Sequence, residues 1–348
     1  MRPFLFLFVL ALVACTAADV PTAGTSSNGT EVAAWQYENN AAALRGFSCP
    51  DSVAYERAAS IEVQVIEAER GSSNARRLNL DAVTLSGAWH LKSDESGFGG
   101  LSGLAALPSG SLLAVTDDGK FVWIGVDRVT GEPDGTAALA PMRDRAGLVF
   151  DAKRDADAED LTFRDGLAFV SFEQDHRIAA YDLESCGAAA RAASVVDLGD
   201  VVSGRRLKNN RGPEALAFAN SGLSVGFEMQ VKGGSPIGQV RVDGTLAAMR
   251  QTEQPNLYLL TGMDHQDGLQ ALVFRIYDPV RGPRAILSVH DETGEIAKAT
   301  LRKPLPVDNF EGVAIGVGPD GGPRIWVISD DNFSRDQRTL LLALDLDQ

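Results

Sequence analysis

Acidic residues recur in this sequence at a repeated spacing. Glu159 is followed by Glu173, and Glu214 by Glu228, each pair fourteen residues apart. Glu311 is followed by Asp330 and Asp331, and Ser102 by Asp117 and Asp118. Carboxylates crowded in a partly desolvated place repel and raise one another's pKa values. Hard cations, paired arginines or shared protons relieve that repulsion. Oxygen ligands without a His or Cys pattern favour Ca²⁺, with Mg²⁺ as the alternative, over zinc or iron. The expected ligand set is Glu159, Glu173, Glu214, Glu228, Glu311, Asp330 and Asp331. Asn209, Asn210 or Asn332 and backbone carbonyls would complete it, and carboxylates capping backbone N–H groups are the competing expectation.

Glu159, Glu214 and Glu311 are also the candidates for acid–base work on a substrate. Arg211 lies three residues before Glu214, and Arg335 follows the Ser329-Asp-Asp-Asn run. Both are expected to meet an anionic substrate, because guanidinium binds phosphate or carboxylate bidentately. Ion pairing with the acids themselves is the alternative. None of the four histidines stands at metal-ligand spacing from another. His176 is a minor acid–base candidate, and His265 is placed in a loop that could face the acids. The chain has no Gly-x-Ser-x-Gly elbow and no Gly-x-x-x-x-Gly-Lys phosphate loop, which removes support for a serine hydrolase or a nucleoside triphosphatase.

The elements that must position these acids are short strands. Ser111–Thr116, Leu167–Phe172, Leu223–Phe227 and Arg324–Ser329 are apolar runs bounded by turn residues. Sustained helical periodicity is nearly absent, and one short helix is expected near 50–60. Four segments resemble one another: Ser102-Gly-Leu-Ala-Ala106, Glu159-Asp-Leu-Thr-Phe163, Glu214-Ala-Leu-Ala-Phe218 and Glu311-Gly-Val-Ala-Ile315. A multi-strand unit repeating roughly every 50 residues is the signature of propeller blades. The fold class expected is therefore all-β, a β-propeller of about five to six blades. A tight hairpin returns the chain to where it began, so the recurring acids gather on one rim around the central channel. The last unit shows three strands, and Thr84–Leu91 is expected to supply a fourth and close the ring.

The net charge is −15, from 32 Lys+Arg against 47 Asp+Glu. That balance excludes nucleic acid as a partner, since binding it needs a basic footprint. Phe4 to Val13 is an unbroken apolar run, too short to span a membrane, and reads as an export signal over residues 1–14. It ends in Leu12-Val13-Ala14-Cys15, which resembles a bacterial lipobox with Cys15 as the lipidated residue. Residues 15–48 are expected to be a flexible tether and 49–348 the propeller domain. Membrane contact would run through the lipid anchor only, and the protein is expected to be a monomer. Two further cysteines, Cys49 and Cys186, suggest one disulfide in an oxidising compartment, with two buried thiols as the alternative.

Gly100-Leu-Ser-Gly-Leu104, Ala158-Glu-Asp-Leu161, Asn210-Arg-Gly-Pro-Glu-Ala-Leu216, Asp308-Asn-Phe-Glu-Gly-Val313 and Ile328-Ser-Asp-Asp-Asn-Phe333 resemble the phytase-like family, over about residues 84–346. The resemblance implies a β-propeller in an exported bacterial protein, with esterase-like activity of the phytase type. A small anionic ester or phosphoester is the substrate it implies. Two other functions stay open: a surface-tethered binding or scaffold propeller cemented by calcium, and a lactonase-type hydrolase.

Overall fold

Five antiparallel sheets follow one another along the chain, and each begins at an inner strand. In a computed structural model of the protein, residues 32–69, 80–208, 211–255 and 257–347 are described. The inner strands are Leu101–Ala106, Ala158–Arg164, Ala215–Ala219, Leu259–Gln266 and Asn309–Val317. Each contacts the next, and the fifth returns to the first. The protein is a five-bladed β-propeller.

These strands form because each blade is covered on both faces. Leu167–Phe172 is buried at all six positions, so the chain shows continuous apolar runs instead of clean alternation. The core is accordingly five clusters, one at each blade–blade interface. Between the second and third blades, for example, Phe169 and Phe218 meet edge to face at 5.0 Å.

Ring closure uses the expected strand. Val83–Lys92 pairs with the C-terminal strand Thr339–Leu346 in the fifth blade. The segment before it does more. Ala59–Glu62 edges the first blade, Gln64–Glu67 the fifth and Leu80–Asp81 the fourth. One stretch of chain thus covers three otherwise open sheet edges.

Two expectations about the N-terminal part are corrected. Residues 34–48 are not tether. Trp35 is 2% exposed and packs on Phe169 and Phe218, and Tyr37–Ser48 is a helix whose Leu44 is buried. Its Ala- and Asn-rich composition hid the few apolar residues that anchor it. The helix therefore lies before 50–60 instead of within it. That later stretch holds a turn and the edge strand Ala59–Glu62. Cys49, at the helix end, is bonded to Cys186 beside the second blade. The expected signal and Cys15 lie outside the described residues, as do Asn209 and Asn210.

Candidate metal centre

Strand register explains how the acids meet. In the fifth blade Phe310 pairs with Ser329 and Asn309 with Asp330. In the fourth, Leu260 pairs with Phe274 and Leu259 with Arg275. Carrying this register round the ring gives each blade two positions at one mouth of the channel. The first, on the inner strand, holds Ser102, Glu159, Glu214, Thr261 and Glu311. The second, at the end of the returning strand, holds Asp117, Glu173, Glu228, Arg275 and Asp330.

Six of the seven expected ligands therefore converge: Glu159, Glu173, Glu214, Glu228, Glu311 and Asp330. Each has its pKa raised, first by burial. Glu159 is pushed well above the usual range, with Glu173, Glu311, Asp157 and Asp117 adding repulsion. Glu214 is likewise well above it, through burial and then Glu159 and Glu228. Burial pushes Glu173 up to about 7 although hydrogen bonding from Glu214 and the Gly212 N–H opposes it. Glu311 rises to about 8 against the pull of Arg275, and Asp330 to about 6.

Asp331 is the exception. Its Oδ1 accepts from the Gly100 and Phe333 N–H groups and its Oδ2 from the Thr339 hydroxyl. It clasps the fifth blade to the start of the first, with both oxygens engaged. Arg211 lies close enough to Glu228 to lower its pKa. Arg335 is exposed in the loop after Asp330, and it is Arg338 that pairs with Asp308, at 3.1 Å. His265 is not at this rim. It lies at the far end of its inner strand and lines a cavity of about 960 Å³ at the opposite mouth.

Four residues of the site lie outside the acidic repeat that the sequence shows. Arg275 lies 3.1 Å from Glu311 and 3.3 Å from Glu228, and donates to Asn309 at 2.7 Å. The signal was there: Thr261 to Arg275 is the same fourteen-residue interval, with the acids replaced. Asp157 stands just before the second inner strand, outside the repeat. One oxygen from each of Asp157, Glu159 and Glu173 lie within 4.8 Å of one another, and Asp157 and Glu173 are buried. Lys153 approaches this trio's edge, donating to Asp117 at 2.6 Å and standing 3.8 Å from Asp157.

Asp160, the fourth, sits below the ring. Its carboxylate accepts from the Leu161 and Leu216 N–H groups at 2.8 Å each, and from Met263 at 3.5 Å. It is fully buried, which pushes its pKa well up. Gly103, Ala215, Gly262 and Gly312 hold the matching positions in the other blades. A Cβ on Gly262 would stand 2.2 Å from the Glu311 carbonyl oxygen, and one on Gly103 2.7 Å from the Asp160 Cα. One aspartate fits in the channel because its four counterparts are minimal. Where the first ring position lacks a carboxylate, a hydroxyl links neighbouring blades. Ser102 donates to the Ala158 carbonyl at 2.6 Å and Thr261 to that of Phe310 at 3.2 Å.

The donor set is oxygen only, and Asp117 Oδ1 is buried with no hydrogen-bond partner. These residues fit a hard divalent cation better than a soft one. The profile of a family described as phytase-like, esterase-like activity of phytase, matches residues 96–276, just over half of the 348-residue chain. The chain belongs to the phytase-like family.

No curated protein matches this phytase-like chain. Similar solved structures include the PQQ-bound aldose sugar dehydrogenase of Streptomyces coelicolor, at 14% identity and a TM-score of 0.41, covering 76% of this chain and 98% of that one. The glutaminyl cyclase of Myxococcus xanthus is 13% identical with a TM-score of 0.44, covering 77% and 98%. The PQQ domain of pyranose dehydrogenase from Coprinopsis cinerea is 10% identical with a TM-score of 0.38, covering 85% and 99%. Likeness at this level bears on neither substrate nor cofactor.

Proposed function

We propose that the acidic mouth binds a divalent cation, Ca²⁺ ahead of Mg²⁺, and that the protein hydrolyses a small anionic ester of the phosphoester class there. The observation that carries this reading is the trio Asp157, Glu159 and Glu173. It brings three carboxylates together with no arginine paired to them among the described residues. The family's description supports ester chemistry. A cation held by the trio would neutralise charge and polarise an ester oxygen.

The chain's own residues supply the rest. Burial pushes the Glu214 carboxyl well above the usual carboxylate range, and a carboxyl group raised in this way can give a proton to a leaving oxygen. Glu311, raised to about 8, is the second such group. Arg275 fixes Glu311 and Glu228 in place, so the acids are held on strands and not on loops. Arg211, beside Glu228, is the basic group we assign to the substrate's anion.

Calorimetry with Ca²⁺ and a phosphoester panel, with and without chelator, tests this. The expected result is cation uptake by the wild type, lost in Glu159→Gln and Glu173→Gln, with turnover lost in chelator. Absence of uptake overturns the reading. Uptake that raises Tm without turnover of any ester would make the protein a binding propeller cemented by calcium, and turnover of lactones alone a lactonase. We place the protein outside the cytoplasm on a lipid anchor. The Cys49–Cys186 disulfide and the apolar run before Cys15 support this, and loss of palmitate labelling in Cys15→Ser tests it.

A further inference from the structure

The trio gathers three carboxyl groups with a single basic side chain at its edge among the described residues. We propose that Lys153 is its exchangeable counter-ion, displaced when a divalent cation binds and then free to meet the anionic group of the ester. This rests on the cation site proposed above and adds the residue that sets its affinity.

Three observations carry the proposal. Lys153 is the one basic side chain, among the described residues, within ion-pair distance of the trio. Its Nζ stands 2.6 Å from Asp117 Oδ2 and 3.8 Å from Asp157 Oδ1. It is also held loosely. The residue opens the short helix Lys153–Ala156, on the crossing from the first blade to the second, and its side chain is 60% exposed. The helix is fixed from its other end, where Ala156 is buried against Gly119. The exposed stem can therefore swing while its anchor stays put. Finally, the pairing is incomplete, since Asp117 Oδ1 keeps no partner.

Arg275 shows the contrast. A guanidinium on a strand, bonded to three side chains, has a fixed fork geometry, whereas an ammonium on a four-carbon stem is a mobile point charge. An ion pair as exposed as that of Lys153 is weak and is screened by salt. A divalent cation brings twice the charge to the same carboxylates and wins the competition. Asp157 is 5% exposed and Lys153 60%, so solvent and ligand reach the trio from the lysine's side. A displaced ammonium then lies in the path of an incoming anion.

Calcium titration by calorimetry of the full chain tests this, using wild type, Lys153→Met and Lys153→Arg. Removing the charge is expected to tighten Ca²⁺ binding about tenfold, an effect that shrinks in high salt. Lys153→Arg should stay within about twofold of wild type, since it keeps the charge. The Met variant should also raise KM for a phosphoester with kcat little changed. Equal Ca²⁺ affinity in wild type and Lys153→Met overturns the counter-ion role, and an unchanged KM overturns the substrate contact. A wild type that takes up no Ca²⁺ overturns instead the cation site itself. Lys153→Gln, with the same expected signs, guards against a Met variant that is insoluble.

Discussion

On one side of the acidic ring, Glu228 and Glu311 share the guanidinium of Arg275, which is built into a strand. On the other side, Asp157, Glu159 and Glu173 have, among the described residues, only the exposed Lys153 as a basic side chain at their edge. Burial raises the carboxyl pKa values in both groups. In the first, the positive charge is part of the sequence. In the second it is left to be brought in. A buried carboxylate cluster without a resident cation is costly to keep ionised, and that cost becomes binding energy for an ion that relieves it. The contrast locates the cation site more sharply than the count of acids does.

The largest expected effect comes from erasing the resident charge. Arg275→Met should destabilise the protein by about 3–5 kcal/mol at pH 9, above the pKa of about 8 that Glu311 has in the fold, because it leaves Glu228 and Glu311 buried and uncompensated. Urea unfolding in chelator measures it. The loss should shrink at pH 5, well below the raised pKa of Glu311. A loss that is the same at both pH values would mean that Arg275 matters for packing and not for charge, and the contrast between the two sides would fail.

Next in size is Glu159→Gln. It should weaken Ca²⁺ binding about a hundredfold, since a neutral amide is a poorer hard-cation ligand than a carboxylate. In chelator it should stabilise the protein by about 1 kcal/mol at pH 8, because it removes a carboxylate that folding penalises. Glu311→Gln removes a partner of Arg275 and should show no such gain. Equal behaviour of the two variants would break the comparison.

A smaller effect follows from pH. Glu173 is raised to about 7, Asp330 to about 6 and Glu311 to about 8. Between about pH 4.5 and 8 the folded protein holds protons that the unfolded chain has released. Stability must therefore fall as pH rises through that window. In chelator, Tm should be highest near pH 5 and drop toward pH 8, by the equivalent of about 1–2 kcal/mol. Saturating Ca²⁺ should flatten the drop. A flat profile without Ca²⁺ would mean that burial does not raise these carboxyl groups, and the contrast between the two sides would fail.

What the chain shows in advance follows from repetition. Glu159, Glu214 and Glu311 can be placed on one rim because a hairpin returns its ends to the same level, and the repeat bounds the blade count at about five to six. Arg275 stands outside the acidic pattern because the fourth blade keeps the spacing and changes the chemistry. Asp157 and Lys153 belong to a crossing segment that no other blade repeats. Asp160 is visible in the text, but its role depends on four neighbours having almost no side chain. The helix Tyr37–Ser48 was hidden because three buried residues, Tyr37, Leu44 and Ser48, anchor an otherwise polar stretch.

The smallest effect tests the boundary of the site. Asp331 directly follows Asp330 and both come after Glu311 in the same unit, so sequence alone does not separate the two. Their hydrogen bonds do. Asp330 has one oxygen bonded to the Asn332 N–H and otherwise faces the ring acids. Asp331 spends both oxygens on Gly100, Phe333 and Thr339. Asp331→Asn keeps the shape and one acceptor but loses the charge assistance, a cost of about 1 kcal/mol. Its Ca²⁺ affinity should stay within about twofold of wild type, whereas Asp330→Asn, which removes charge from the ring itself, should weaken binding further. A tenfold loss in Asp331→Asn would move Asp331 into the ring and extend the cation-binding side to the junction of the fifth and first blades.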